Sequence, residues 1–358
     1  MTYTLHKPLR RSVLLASGLL LGAQALATQA GWRQLDIAGA TPGALPTVVA
    51  LYYPTQAPAR AIGMGPFTAT VAIQAPPDAA VKGLIVLSHG TGGTELGHSR
   101  LAEALAQSGY LVAALRHPGD NWQDRSLLTQ TPERYFIERP QQASRVIDAL
   151  LSHPDWKGRI ASDDRGPRIG ALGHSAGGYT VLALAGGEPD MSRLATHCKT
   201  HLAEDPIFCS LGRTLAGTTS GAQTNAATTT TVPAPLTSTS TPMLTDPRVR
   251  AVVAMSPVGA VFSAQSLAKV RVPTLIYEAE QDRFLVPRFH AEWIASQLPG
   301  AELQRVPNAW HFAFMDTPSM PIPSEDGDVR ADPPGFDRRA LLDRLARELP
   351  AFFDKAFR

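Results

Sequence analysis

Arg168-Ile-Gly-Ala-Leu-Gly-His-Ser-Ala-Gly-Gly-Tyr-Thr-Val-Leu-Ala-Leu184 is the stretch on which the fold turns. A short apolar run, Ile169 to Leu172, halts at Gly173-His174-Ser175-Ala176-Gly177, and a run of helix formers follows. The pattern is strand, sharp turn, helix, with a serine at the apex. Glycines flank Ser175 because so tight a reversal leaves no room for side chains, and the serine is pressed into a strained conformation with its hydroxyl outward. The helix behind it aims free N–H groups and a partial positive charge at the same spot. A lone G-x-S-x-G is weak evidence in a chain with 29 glycines. Held between a strand and a helix, it outweighs the alternative of a glycine-rich turn that merely carries a serine.

The rhythm around this turn agrees with it. Leu84–Leu87, Leu111–Leu115, Ile169–Leu172, Val249–Met255, Pro273–Tyr277 and Glu302–Val306 read as strands. Helical stretches fall between and after them, at Ser99–Gln107, Pro140–Leu151, Tyr179–Ala185, Ser266–Lys269, Phe289–Gln297 and Arg338–Phe353. The last has apolar positions at 341, 342, 345, 349 and 352, a one-sided helical stripe. Strands alternating with helices at this spacing predict a mostly parallel, doubly wound α/β sheet with helices on both faces. Ahead of it, Trp32–Ile37, Thr47–Tyr53 and Thr68–Ile73 are β-rich and separated by Pro/Gly clusters, which predicts an opening antiparallel set.

At 358 residues, 44% hydrophobic and 18% charged, the chain can bury a sizeable core. A formal net charge of +2 with scattered basic residues gives no nucleic-acid footprint. Lys7, Arg10 and Arg11 precede the apolar run Val13–Leu21 and the small-residue site Ala25-Leu26-Ala27. Residues 1–27 therefore read as a secretory signal peptide, the apolar run being shorter than the roughly 20 residues of a membrane span. Export would place the mature chain, 28–358, in the periplasm or outside the cell. In such an oxidising compartment the two cysteines, Cys198 and Cys209, can pair. Two thiols at irregular spacing make a poor metal site, and no metal or cofactor is expected. Residues 186–247 interrupt the α/β rhythm as a lid-like insertion. It holds both cysteines and then a Thr-, Ala-, Ser- and Pro-rich tract, Thr214–Thr245, too poor in apolar residues to order itself.

A serine hydroxyl becomes a useful nucleophile when a neighbouring base takes its proton and a carboxylate fixes that base's tautomer. In an open α/β sheet these groups must come from loops at the carboxyl ends of strands. His311 follows the last strand, and Asp282 follows the strand before it, in the chain order Ser, acid, His. The competing readings are a packed histidine between Trp310 and Phe312 and a turn aspartate; Glu278 and Glu280 rival Asp282 but lie nearer the strand. For the oxyanion, the N–H of Ala176 is one donor and that of Thr91, in His89-Gly-Thr-Gly-Gly93, the other. That glycine run is not a phosphate loop, because no Lys-Ser/Thr pair follows it. Trp310, Tyr179 and the His117–Trp122 loop would line the substrate pocket.

Leu-Ser-His-Gly-Thr-Gly-Gly (87–93), Ala-Leu-Arg-His-Pro-Gly (114–119), Gly-His-Ser-Ala-Gly-Gly-Tyr (173–179), Glu-Ala-Glu-Gln-Asp-Arg-Phe-Leu-Val-Pro (278–287) and His311 together resemble an α/β-hydrolase. Over about 45–355 the chain resembles the secreted bacterial "predicted dienelactone hydrolase" group, related to platelet-activating-factor acetylhydrolases. True dienelactone hydrolases use a cysteine nucleophile where this chain has Ser175. The acetylhydrolases carry their acid after the preceding strand, where this chain has Met255-Ser256-Pro257, which leaves Asp282 as the acid. The resemblance implies a serine hydrolase acting on small, moderately apolar esters. An amidase or peptidase of the same fold, and a non-catalytic periplasmic binding protein on a hydrolase scaffold, are the other two readings.

Overall fold

The computed structural model describes residues 1–3, 28–78, 80–210, 243–325 and 327–358. The leader expected over 1–27, apart from 1–3, and the Thr-rich tract as far as 242 lie outside the described residues. The strands are β1 (Gln29–Ile37), β2 (Thr47–Thr55), β3 (Arg60–Met64), β4 (Phe67–Ile73), β5 (Leu84–Ser88), β6 (Leu111–Arg116), a small ladder β7 (Ser162–Asp163) and β8 (Gly166–Pro167), then β9 (Ile169–His174), β10 (Val249–Met255), β11 (Thr274–Ala279) and β12 (Glu302–Val306). The helices used below are α1 (Ser99–Gln107), α2 (Pro132–Ser152), α3 (Ala176–Leu184), α4 (Met191–Thr200), α5 (Ala264–Leu267), α6 (Ala291–Gln297) and α7 (Arg338–Ala356).

One ten-stranded sheet runs in the order β12-β11-β10-β9-β5-β6-β2-β1-β4-β3. From β12 to β6 every pairing is parallel. Strands β5, β9 and β11 are buried at every residue, as their unbroken apolar runs require of strands covered on both faces. One face packs against α2, α3 and α6 through Phe136, Val146, Val181 and Ile294. The other packs against α1 and α7 through Leu101, Leu105, Leu345 and Phe353. This is a three-layer sandwich with β9, the strand that feeds the Ser175 turn, near its middle.

Three expectations need correction. The opening strands are not purely antiparallel: β1 pairs antiparallel with β2 but parallel with β4, and β3 is a hairpin partner of β4. On α7 the buried aromatic is Phe353, not the half-buried Phe352. Helix α2 starts at Pro132 and runs straight through Pro140. A proline inside a helix removes the N–H that would bond the carbonyl four residues back. That carbonyl belongs to Phe136, and the Tyr179 hydroxyl donates to it at 2.8 Å. A tertiary contact from α3 thus repairs the helix where its own proline opens it.

Candidate active site

The backbone at Ser175 is set by its glycines. A Cβ on Gly177 would stand 1.9 Å from the Ser88 carbonyl oxygen, and one on Gly173 would stand 2.1 Å from that of Gly177. Only glycine fits at either place. Ser175 itself sits at φ 58°, a left-handed conformation costly for a side-chain-bearing residue. Its backbone is held on both sides: its N–H donates to Met255 O at 2.9 Å, and its carbonyl accepts from Val258 and Tyr179, each at 3.2 Å. The side chain is half-buried, at the carboxyl end of β9 and the start of α3.

Asp282 lies in the loop after β11 and His311 in the one after β12. His311 Nδ1 and Asp282 Oδ2 are 2.7 Å apart, and both side chains are buried. The other oxygen of Asp282 accepts from the N–H groups of Phe284 and Leu285, at 2.9 and 2.8 Å. The carboxylate can therefore only accept from Nδ1–H, which leaves Nε2 of His311 as a lone-pair site. The Phe284 ring stacks on the imidazole with centroids 5.0 Å apart. On another side stands His174, its ring 4.8 Å from that of His311 and its Nε2 donating to the His311 carbonyl at 2.9 Å. Burial, then the neighbouring His311, holds the His174 imidazole well below its ordinary pKa, so it stays neutral beside the candidate base. Among the described residues no hydrogen bond joins Ser175 Oγ to His311. What binds the two loops is His174, the chain neighbour of one and the hydrogen-bond partner of the other. Contacts between nucleophile and base in an unliganded site commonly close only when substrate binds. Glu278 and Glu280 go elsewhere, to Arg305 and to the N–H of Asn308.

The loop after β5 packs directly on the serine: a Cβ on Gly90 would lie 3.1 Å from that of Ser175. Thr91 follows at the exposed crest of the loop, its hydroxyl 2.8 Å from that of Tyr135. Ala176 opens α3, so its N–H is one of the first-turn amides that no helical carbonyl takes up.

Two expected pocket residues are not at a surface. Tyr179 is fully buried, stacked on Phe262 and donating to Phe136 O, because α3 is covered on every side. His117 is equally buried, 2.8 Å from Ser88 Oγ and 2.7 Å from Gln142 Oε1, inside the sandwich. Trp122 is exposed, and Trp310 is half-buried beside the Arg283 guanidinium, 4.5 Å from its ring. Sequence reasoning missed Tyr135 and Arg139 and gave Asp120 no role beyond its place in the His117–Trp122 loop; Asp120 and Arg139 form a fully interior ion pair behind the β5 loop, and Tyr135 donates to Asp120. Nothing in their spacing marks them.

Cys198 and Cys209 form a disulfide, so neither offers a thiolate to the adjacent His197. His197, Asp205 and His290 are buried with their ligand atoms within 4.8 Å of one another, a grouping that could hold a metal ion. The hydrogen bonds argue for a different use. Gly259 N–H donates to His290 Nδ1 at 3.0 Å, so the ring's proton is on Nε2, facing Asp205 Oδ2 at 2.9 Å. A ligating Nε2 would need the opposite tautomer. His197 Nε2 meets the same oxygen at 2.8 Å, making a carboxylate clip between two imidazoles. These two donors outweigh burial and bring Asp205 down to about 2. Among the described residues no helix is long and apolar enough to cross a membrane.

Compared with known proteins, residues 79–318 match the Hydrolase_4 family, described as serine aminopeptidase, S33. No curated protein matches the chain. Among solved structures, a ferulic acid esterase from Streptomyces cinnamoneus aligns with a TM-score of 0.56 at 19% identity, covering 93% of this chain and 91% of that one. A dienelactone hydrolase from Anabaena variabilis ATCC 29413 aligns with a TM-score of 0.48 at 17% identity, covering 92% of this chain and all of the other. The esterase alignment speaks for the fold.

Proposed function

Because the chain belongs to the Hydrolase_4 (serine aminopeptidase) family of α/β-hydrolases and is thus a hydrolase, we propose that it is an exported serine hydrolase that cleaves carboxylic esters through an acyl-enzyme. The observation that carries this reading is the 2.7 Å bond between His311 Nδ1 and Asp282 Oδ2, which leaves Nε2 free as a base at the same sheet edge as Ser175. Ser175 Oγ attacks the ester carbonyl while His311 Nε2 takes its proton. The oxyanion rests on the N–H groups of Thr91 and Ala176. As the tetrahedral intermediate collapses, His311 returns the proton to the departing alcohol. Water, deprotonated by the same nitrogen, then releases the acid and restores the serine. Asp282 holds the ring through Nδ1 and stabilises the imidazolium. The signal-peptide pattern read in residues 1–27 supports export, and the disulfide accords with an oxidising compartment.

The family's description, serine aminopeptidase, makes cleavage of peptide bonds the second reading. An aminopeptidase must hold the substrate's ammonium group, and three carboxylates of the candidate-site loops already have cationic or imidazole partners: Asp282 with His311, Asp120 with Arg139 and Glu95 with Arg116. That favours an uncharged ester. The test is turnover of p-nitrophenyl acetate or butyrate against the matching anilides, with Ser175→Ala as control. Ester turnover that vanishes in the variant, together with loss of fluorophosphonate labelling, is the expected result; an unchanged rate rejects the assignment.

A further inference from the structure

We propose that Tyr135 and Asp120, locked by Arg139, are positioning residues that hold the β5 loop with the Thr91 amide aimed at the oxyanion. The inference rests on the serine-hydrolase reading above and concerns residues that never touch the substrate.

The loop is a four-residue turn. Gly93 N–H returns to Gly90 O at 3.1 Å, and Gly92, the third residue, stands at φ 65°. In such a turn the N–H groups of the two central residues, Thr91 and Gly92, point away from the closing bond and need outside partners. Gly92 has one: it donates to Asp120 Oδ1 at 2.7 Å. Thr91 N–H has no acceptor among the described residues, although its side chain is tied down. Tyr135 OH donates to Asp120 Oδ2 at 2.8 Å. With that proton committed to a carboxylate, the contact between the Tyr135 oxygen and Thr91 Oγ1, also 2.8 Å, must be a bond in which the threonine donates. The loop's root is held as well, because the Arg139 guanidinium bonds both the His89 carbonyl and Asp120. Groups at 89, 91 and 92 thus lead to one buried ion pair, the threonine through Tyr135, while the Thr91 amide stays open for the chemistry to use.

The pair is costly to keep. Asp120 and Arg139 are both fully excluded from water, and replacing such a pair by apolar side chains often stabilises a protein. Arg139 reaches further, to Thr180 Oγ1 on α3 at 3.1 Å and Ser88 Oγ on β5 at 3.2 Å. It thereby references the loop to the two elements that flank the nucleophile. Rigid donors are what an oxyanion site needs, since stabilisation depends on dipoles that do not reorganise during reaction.

The test is Tyr135→Phe, which deletes one oxygen and keeps the ring packed on Phe136. On an ester substrate, kcat should fall about tenfold with KM within about twofold, and affinity for a trifluoromethyl ketone, a mimic of the tetrahedral adduct, should fall in parallel. Thr91→Val cuts the same link from its other end and should cost the same, and Thr91→Ser should restore most of the rate. The double variant should be no slower than either single one. An unchanged kcat in Tyr135→Phe, a loss that appears in KM alone, or single losses that multiply in the double variant would each overturn the proposal. A wild type with Ser175-dependent turnover and an unaffected Tyr135→Phe refutes this inference alone; a wild type without such turnover refutes the hydrolase reading and takes this one with it.

Discussion

Asp282 shows how much of the site is decided by a single side chain. Its Oδ1 is claimed by the amides of Phe284 and Leu285, so its orientation is not free. In Asp282→Asn the amide oxygen would keep those two donors, and the NH2 group would turn to His311 Nδ1. The imidazole would then carry its proton on Nε2, where Ser175 needs an acceptor. We expect kcat to drop roughly a thousandfold to ten-thousandfold with fold and Ser175 intact, measured by steady-state kinetics beside circular dichroism; a loss under tenfold would remove Asp282 from the role. The candidate trio, Ser175, Asp282 and His311, stands out in the sequence because glycines and strand ends leave marks there. Asp120, Tyr135 and Arg139 do not, since each becomes meaningful only when α2 lies behind β5. Tyr179 and His117 misled for a related reason. Closeness to a motif along the chain says nothing about which way a ring turns, and both turn into the core.

Among the elements, helix α1 raises a question of charge. Its N-cap, His98, makes no capping bond with its side chain. The cap comes from elsewhere: Asp316 Oδ2 accepts from Arg100 N–H at 3.0 Å. Burial raises the Asp316 carboxyl to about 7, and Glu103 on the same helix rises to about 7, again chiefly by burial. Both folded values lie above the unfolded ones, so between about pH 4 and about pH 7 the folded protein binds more protons than the unfolded chain. Stability from these groups is present at the acid end and is lost as pH rises through about 7. Asp316→Asn keeps an acceptor for the helix and removes the titration. Urea unfolding at about pH 5 and about pH 8 should show a smaller loss of stability across that interval in the variant than in the wild type; equal losses would contradict the assignment. At this scale the sequence was informative about element bounds: those expected for α1, β10 and β12 are those observed. It was silent about β3, a short edge strand without an apolar run, and about the start of α2, where Pro140 looked like a boundary until Tyr179 supplied its missing bond.

For the whole molecule, two features stand out in the described part of the insertion. The disulfide joins residues 11 apart in sequence, and Asp205, inside that loop, clips His197 of α4 to His290 at the start of α6. Closing so short a loop contributes about 2–3 kcal/mol on chain-entropy grounds. Reduction should lower the thermal midpoint and speed proteolysis within 191–210, with the sheet core cut no faster; unchanged proteolysis after reduction would mean that the clip alone holds the segment.

Phe353, near the end of α7, stands against Gly170 of β9: a Cβ there would lie 2.5 Å from the phenyl ring. Residues 170 and 353 lie far apart along the chain, so the wall behind the nucleophile's strand is a long-range contact. Closing contacts of such high sequence separation is what slows the folding of mixed sheets.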